Sequence, residues 1–122
     1  MKGRLASDHT PYVTVEVVEA GFGHEFVVDT GFNGSLYLPQ DRIEQWDLLF
    51  ITSAPLVLAN QSVVIADVFE ATVVWFSATR RVPVVAGPSD CDSLLGMELL
   101  EGCRIDLDSA DRAVRIDHLS DH

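Results

Sequence analysis

An all-β fold with one or two short helices is predicted by three features of the sequence. From Pro55 to Ala86 the chain is dense in β-branched residues, and segments 12–19 and 104–117 alternate apolar with polar positions. Helical spacing is confined to two short stretches, after Pro39 and over Leu94 to Leu100. β-Branched side chains suit the pleated, half-buried surface of a sheet, and strict alternation marks strands with one face inward.

Tyr12 to Glu19 places Val13, Val15 and Val17 on one strand face, and Ala20-Gly21-Phe22-Gly23 supplies glycines for a turn into His24 to Asp29. This predicts an opening hairpin. Leu36-Tyr37-Leu38 reads as a short strand, and Pro39 opens a helix in which Ile43, Trp46 and Leu49 recur at helical spacing. Polar punctuation at Ala59 to Ser62 and at Ser77 to Arg80 divides Pro55 to Ala86 into long hairpin strands. Gly87-Pro88-Ser89-Asp90 ends that run, Leu94 to Leu100 reads as a short helix stopped by Gly102, and Arg104 to Leu107 pairs with Ala113 to Asp117.

A chain of 122 residues suffices for one core, so residues 1–122 are expected to form a single domain. With 48% apolar residues it can bury that core. The net charge of −11 repels nucleic-acid phosphates and anionic lipid heads, so neither is an expected partner. Met1 to Asp8 contains no apolar leader, and no apolar run approaches the ~18 residues of a membrane span, so a soluble protein is expected. Two cysteines, Cys91 and Cys103, without zinc-type spacing, read as free thiols in a reducing, cytoplasmic compartment.

The chemistry concentrates in Phe26-Val27-Val28-Asp29-Thr30-Gly31-Phe32-Asn33-Gly34, where an apolar strand ends in a carboxylate, a hydroxyl and a glycine. A carboxylate behind buried apolar residues needs hydrogen bonds or a function. Gly31 lets a backbone, a substrate or a water approach Asp29, and the Thr30 hydroxyl can donate to a neighbouring main chain. The bland alternative is an ordinary strand-end turn, since Asp and Gly are common there.

Val27-Val28-Asp29-Thr30-Gly31, followed far downstream by Leu94-Leu95-Gly96 and an apolar helix, resembles the two-part signature of the retropepsin-like aspartic proteases. The form Asp-Thr-Gly-Phe-x-Gly with a following Leu38-Pro39 is similar to the small prokaryotic members. The resemblance spans about residues 12–117. It implies a small closed acid-protease-like barrel with a flap hairpin, mapped onto Leu58 to Val63, and a catalytic Asp29 in each of two subunits. It also implies that Thr30 reaches the partner's loop and that Gly31 lines the substrate groove. The flap departs from the retroviral pattern, because Leu58-Ala59-Asn60-Gln61-Ser62 has no glycine. Asn60 suits a left-handed turn position there, and Asn60 and Gln61 would present polar side chains to a substrate.

The other conspicuous residues have structural readings. Phe32 is expected to pack under the loop, and Trp46 and Trp75 to lie in the core or an interface. His9, His24, His118 and His122 lack the spacing of a zinc site, and Asp106, Asp108, Asp111 and Asp117 lack the glycine and terminal Glu of a calcium loop. No metal or cofactor is therefore expected. The expected function is a homodimeric aspartic endopeptidase acting on peptide or protein substrates. The alternatives are a catalytically inactive retropepsin-like dimerisation or peptide-binding module, and a β-barrel in which Asp29 is only a turn residue.

Overall fold

The computed structural model describes residues 1–119. It contains ten strands and two short helices. The opening hairpin forms as the alternation predicts: β2 (Pro11–Val17) buries Val13, Val15 and Val17, exposes Thr14 and Glu16, and pairs antiparallel with β3 (Phe22–Val28). A 3-10 turn over Val18–Ala20 joins them, closed by Gly21 at φ +79°, where an L side chain would be strained.

Strand β1 (Lys2–Leu5) was not foreseen, being too short and polar to show alternation. It pairs with β2 so closely that a side chain at Gly3 would run into the Tyr12 carbonyl. After β4 (Leu36–Pro39), helix α1 (Gln40–Gln45) follows Pro39 and buries Ile43. The expectation that Leu49 shares the helix face with Ile43 and Trp46 is wrong. Asp47 takes φ +52°, which ends the helix, so Leu48 turns inward while Leu49, 65% exposed, opens the next strand.

That strand, β5 (Leu49–Val57), starts earlier than Pro55 and bulges between Phe50 and Thr52. It forms a hairpin with β6 (Val63–Trp75), which turns into β7 (Ala78–Gly87). The predicted helix over Leu94 to Leu100 is divided: Leu94–Leu95 is strand β8, and only Met97–Leu100 forms α2. Pairing decides this, because β8 lies between β3, to which it is parallel, and β4, to which it is antiparallel. The closing hairpin is β9 (Cys103–Asp108) and β10 (Ala113–His118), and β10 also pairs with β1.

The strand order is β5-β6-β7-β4-β8-β3-β2-β1-β10-β9, and a further β6–β2 pairing joins the series β2, β3, β8, β4, β7 and β6 into a ring. Inside it pack Phe26, Leu36, Leu38, Val73, Val84 and Leu95, all fully buried. Trp46 and Trp75, at 6% and 3% exposure, belong to the core as expected. Among the described residues no helix is long and apolar enough to cross a membrane.

Candidate active site

Asp29 stands at the end of β3, immediately past the buried Val28. Its amide donates to the Leu95 carbonyl at 2.9 Å, and the Val27 amide donates to the Ser93 carbonyl at 2.8 Å. Both flanks of Val28 are thereby tied to β8. This explains why Leu94 and Leu95 are extended: a helix there would leave the end of β3 without acceptors.

The loop then turns on its own aspartate. The Gly31 amide donates to Asp29 Oδ1 at 2.9 Å, and the Phe32 amide donates to the Asp29 carbonyl at 3.2 Å. Asp29 is half-buried while Thr30 and Gly31 are exposed, so the carboxylate is presented at a loop tip. A Cβ on Gly31 would lie 3.3 Å from Asp29 Oδ1, tight against the carboxylate.

The returning half of the loop is seated on the start of α2. The carbonyls of Ser35, Phe32 and Gly34 accept from the amides of Gly96, Met97 and Glu98 at 2.9, 2.8 and 3.2 Å. The buried Ser35 hydroxyl donates to Glu98 Oε1 at 2.6 Å. Phe32 packs in the loop as expected: its ring covers Gly34 and Gly96, where any side chain would collide with it, and meets Tyr37 edge-on at 5.8 Å. Gly96 is thus required by contact, which the apolar-apolar-glycine pattern could signal but not explain.

At the predicted flap tip, the Leu58 amide donates to the Ser62 carbonyl at 2.9 Å and the Gln61 amide to the Leu58 carbonyl at 2.8 Å. Gln61, at φ +67°, takes the left-handed position expected of Asn60. Asn60 instead accepts, through Oδ1, from the Ser62 amide at 3.0 Å and from the Ser62 hydroxyl at 2.6 Å. An Asx-type cap does the work of a glycine. Both Asn60 and Gln61 are exposed. A cavity of about 510 Å³ runs beneath this hairpin, lined by Leu56, Leu58, Val64, Tyr37, Ala86 and Pro88. Asp29, Thr30, Gly31, Asn60 and Gln61 do not line it.

Sequence reading missed one polar pair. His24 Nε2 lies 2.9 Å from Ser93 Oγ, and its ring meets Phe26 and Trp46 edge-on at 5.0 Å each. Burial, then the nearby Arg42 charge, holds the His24 pKa below the ordinary histidine value. No spacing signal joins residues so far apart in the chain. His118 packs against Phe76 at 5.5 Å, whereas His122 lies outside the described residues. Asp108 caps its own turn, and Asp106 and Asp117 contact Arg104 and Arg115. Among the described residues no three His, Cys, Asp or Glu side chains are grouped to hold a metal ion. Cys91 and Cys103 are free thiols whose pKa values are pushed up, chiefly by burial.

No protein-family model matches the chain, and no curated protein matches it by sequence. Solved structures do. A retropepsin-like aspartic protease from Rickettsia conorii superposes with a TM-score of 0.65 at 19% identity, covering 93% of this chain and 86% of that one. EIAV protease complexed with the inhibitor HBY-793 superposes with a TM-score of 0.56 at 14% identity, covering 78% of this chain and 88% of that one. Those likenesses, together with a ring of strands whose β3 ends in Asp29-Thr30-Gly31 against β8 and α2, show that this chain has the retropepsin-like fold.

Proposed function

We propose that the chain is one subunit of a homodimeric aspartic endopeptidase, a single domain that supplies Asp29 as its catalytic group. The observation that carries this reading is the placement of Asp29 at an exposed loop tip, on a backbone tied to β8 and α2 by five main-chain hydrogen bonds. Peptide hydrolysis of this type needs two carboxyl groups sharing one proton: one takes a proton from the attacking water, and the other donates to the substrate carbonyl oxygen. One chain has one Asp-Thr-Gly, so a two-fold axis must bring a second Asp29 to within about 3 Å. The exposed Thr30 hydroxyl then reaches the partner's loop, and Gly31 lines the floor on which an extended substrate lies.

The substrate binds as a strand between that floor and the β5–β6 hairpin, with Asn60 and Gln61 at the tip facing it. The chain acts in the cytoplasm on peptide or protein substrates and takes neither nucleic acid nor membrane as a partner. A second reading, an inactive dimerisation or peptide-binding module, is favoured by the glycine-free flap tip, held by Asn60.

Cleavage of a peptide library at mildly acidic pH tests the proposal. The wild-type chain is expected to cleave extended peptides. Asp29→Asn should abolish cleavage while leaving fold and dimerisation intact. Equal cleavage by Asp29→Asn would overturn the assignment, and peptide binding without cleavage by the wild type would establish the second reading.

A further inference from the structure

A small cleft lies where β6 turns into β7: Trp75, Phe76, Ala78 and Arg80 meet His118 of β10 around a volume of about 240 Å³. None of these residues belongs to the Asp29 loop or to the tip of the β5–β6 hairpin. Its walls are aromatic. Phe76 and Ser77 make the two-residue connection of the hairpin, and Phe76 takes φ +51°. Such a turn favours Asn or Gly, and a bulky side chain at positive φ is strained. Strain of that kind persists only where the surroundings hold it. Here the Phe76 ring meets Trp75 edge-on at 5.1 Å and His118 at 5.5 Å.

The cleft is also basic on an acidic chain. The sequence has 19 Asp and Glu against 8 Lys and Arg, and two larger cavities both include carboxylates, Asp67 beneath the flap and Glu25, Asp41, Asp90 and Asp92 beside His24. No Asp or Glu lines this one. Side chains alternate along β7, so Arg80 shares a face with the buried Val82 and Val84, and Arg81 takes the other. Arg81 contacts Glu70 at 3.9 Å, whereas Arg80, exposed at the cleft, has no ion pair among the described residues. Burial raises the pKa of the Cys103 thiol, and Arg80 and the N-terminal ammonium act against that rise, so a second positive charge lies near this end of the sheet.

We propose that this cleft binds a small aromatic carboxylate, with its acid group on the Arg80 guanidinium and its ring against Phe76 and Trp75. A guanidinium presents a planar pair of donors that matches a carboxylate, and aromatic side chains accept a further ring edge-on or offset. Each half of the ligand answers one half of the site. A simple anion would use Arg80 and leave the aromatic walls bare, and an uncharged ring would leave Arg80 without a partner. Size narrows the class further. The cleft is smaller than the roughly 300–1,000 Å³ of pockets that enclose drug-sized ligands, so the fitting ligand is a single ring carrying one acid group. The site is independent of the peptidase reading, because it shares no residue with it.

Titration of the full chain with benzoate, followed through the indole N–H resonances in nitrogen-15 correlation spectra, tests the proposal. Trp75 lines the cleft and Trp46 does not, so the chain's two tryptophans supply a reporter and a control. The Trp75 resonance, assigned through its contact with the Phe76 ring, should move saturably while that of Trp46 stays in place. Benzamide, which keeps the ring without the charge, and acetate, which keeps the charge without the ring, should each bind about tenfold more weakly than benzoate, or worse. Arg80→Gln should weaken benzoate binding about tenfold. Arg81→Gln removes the same charge from the other face of β7 and should change the affinity by less than about twofold, because a solvent-exposed charge that makes no direct contact is screened. An unmoved Trp46 resonance in both variants shows that each is folded. A Trp75 resonance that does not move saturably, equal binding of benzamide and benzoate, or equal losses from the two arginine variants would overturn the assignment.

Discussion

The bond from the Ser35 hydroxyl to Glu98 Oε1 gives a quantitative test of how the Asp29 loop is held. Ser35 is 2% exposed, and its hydroxyl donates across 2.6 Å to a carboxylate on α2. A hydrogen bond to a charged acceptor contributes about 1.5–3 kcal/mol net, and the exposure of Glu98 puts this one near the lower figure. Ser35→Ala should therefore cost about 1.5 kcal/mol. Glu98→Ala should cost a similar amount, because it leaves a buried hydroxyl without its acceptor. The double variant should cost little more than either single change, giving a coupling of about 1.5 kcal/mol. Glu98→Gln keeps an acceptor without charge and should recover roughly half of the loss. Urea unfolding with an unchanged m-value is the assay, and each single variant should melt about 5–9 °C lower for a chain of this size. Single effects that add to within about 0.3 kcal/mol would refute the reasoning, since the two groups would then be stabilising the fold independently.

Three further outcomes are expected. Gly96→Ala should destabilise the protein by about 2–3 kcal/mol, because its Cβ meets the Gly34 carbonyl and the Phe32 ring, whereas Gly31→Ala should cost under about 1 kcal/mol; paired urea titrations compare them. Ser77→Gly should stabilise by about 0.5–1 kcal/mol in the same assay, because Ser77, at φ +71°, sits in a two-residue hairpin turn that favours glycine. Burial and then the Arg42 charge lower the His24 pKa, so the unfolded chain binds a proton at this residue more readily than the folded one. Stability should consequently fall as pH drops through the ordinary histidine value of 6.5, and His24→Gln should flatten that loss when urea midpoints at pH 7.5 and 5.5 are compared.

Much of this architecture was legible because its rules are local. Alternation located β2, β9 and β10, and Asp-Thr-Gly marked the end of β3. The errors arose where distant pairing overrode local pattern. Leu94 and Leu95 lie in a helix-like apolar run, yet the amides of Val27 and Asp29 require extended acceptors beside them. Leu49 continued a helical period that the left-handed Asp47 interrupts. Polar and too short for periodicity, β1 forms because β2 and β10 leave room between them. At the flap tip, Asn60 carried the right turn chemistry in the wrong role, capping through its side chain while Gln61 adopted the positive φ. No pattern could place His24 beside Ser93, because that contact joins residues 69 positions apart.

The two edges of the sheet are treated differently, and the difference bears on assembly. An uncovered strand edge invites pairing with another chain, and proteins blunt the edges they do not use. Strand β5 is blunted: Pro55 removes one backbone donor, and the irregularity between Phe50 and Thr52 interrupts its regular ladder. Of its exposed large apolar residues, Leu49, Phe50 and Ile51 lie at that interruption and Val57 at the opposite end of the strand. Strand β9 has no proline and keeps a continuous register with β10 through six residues. Its exposed face carries charges of both signs in the order Arg104, Asp106, Asp108, so some registers of self-pairing set like charges opposite one another. Repulsion in the wrong registers is as much a part of specificity as attraction in the right one. On a chain of net charge −11, which resists association in general, an edge of this kind penalises the registers that oppose like charges.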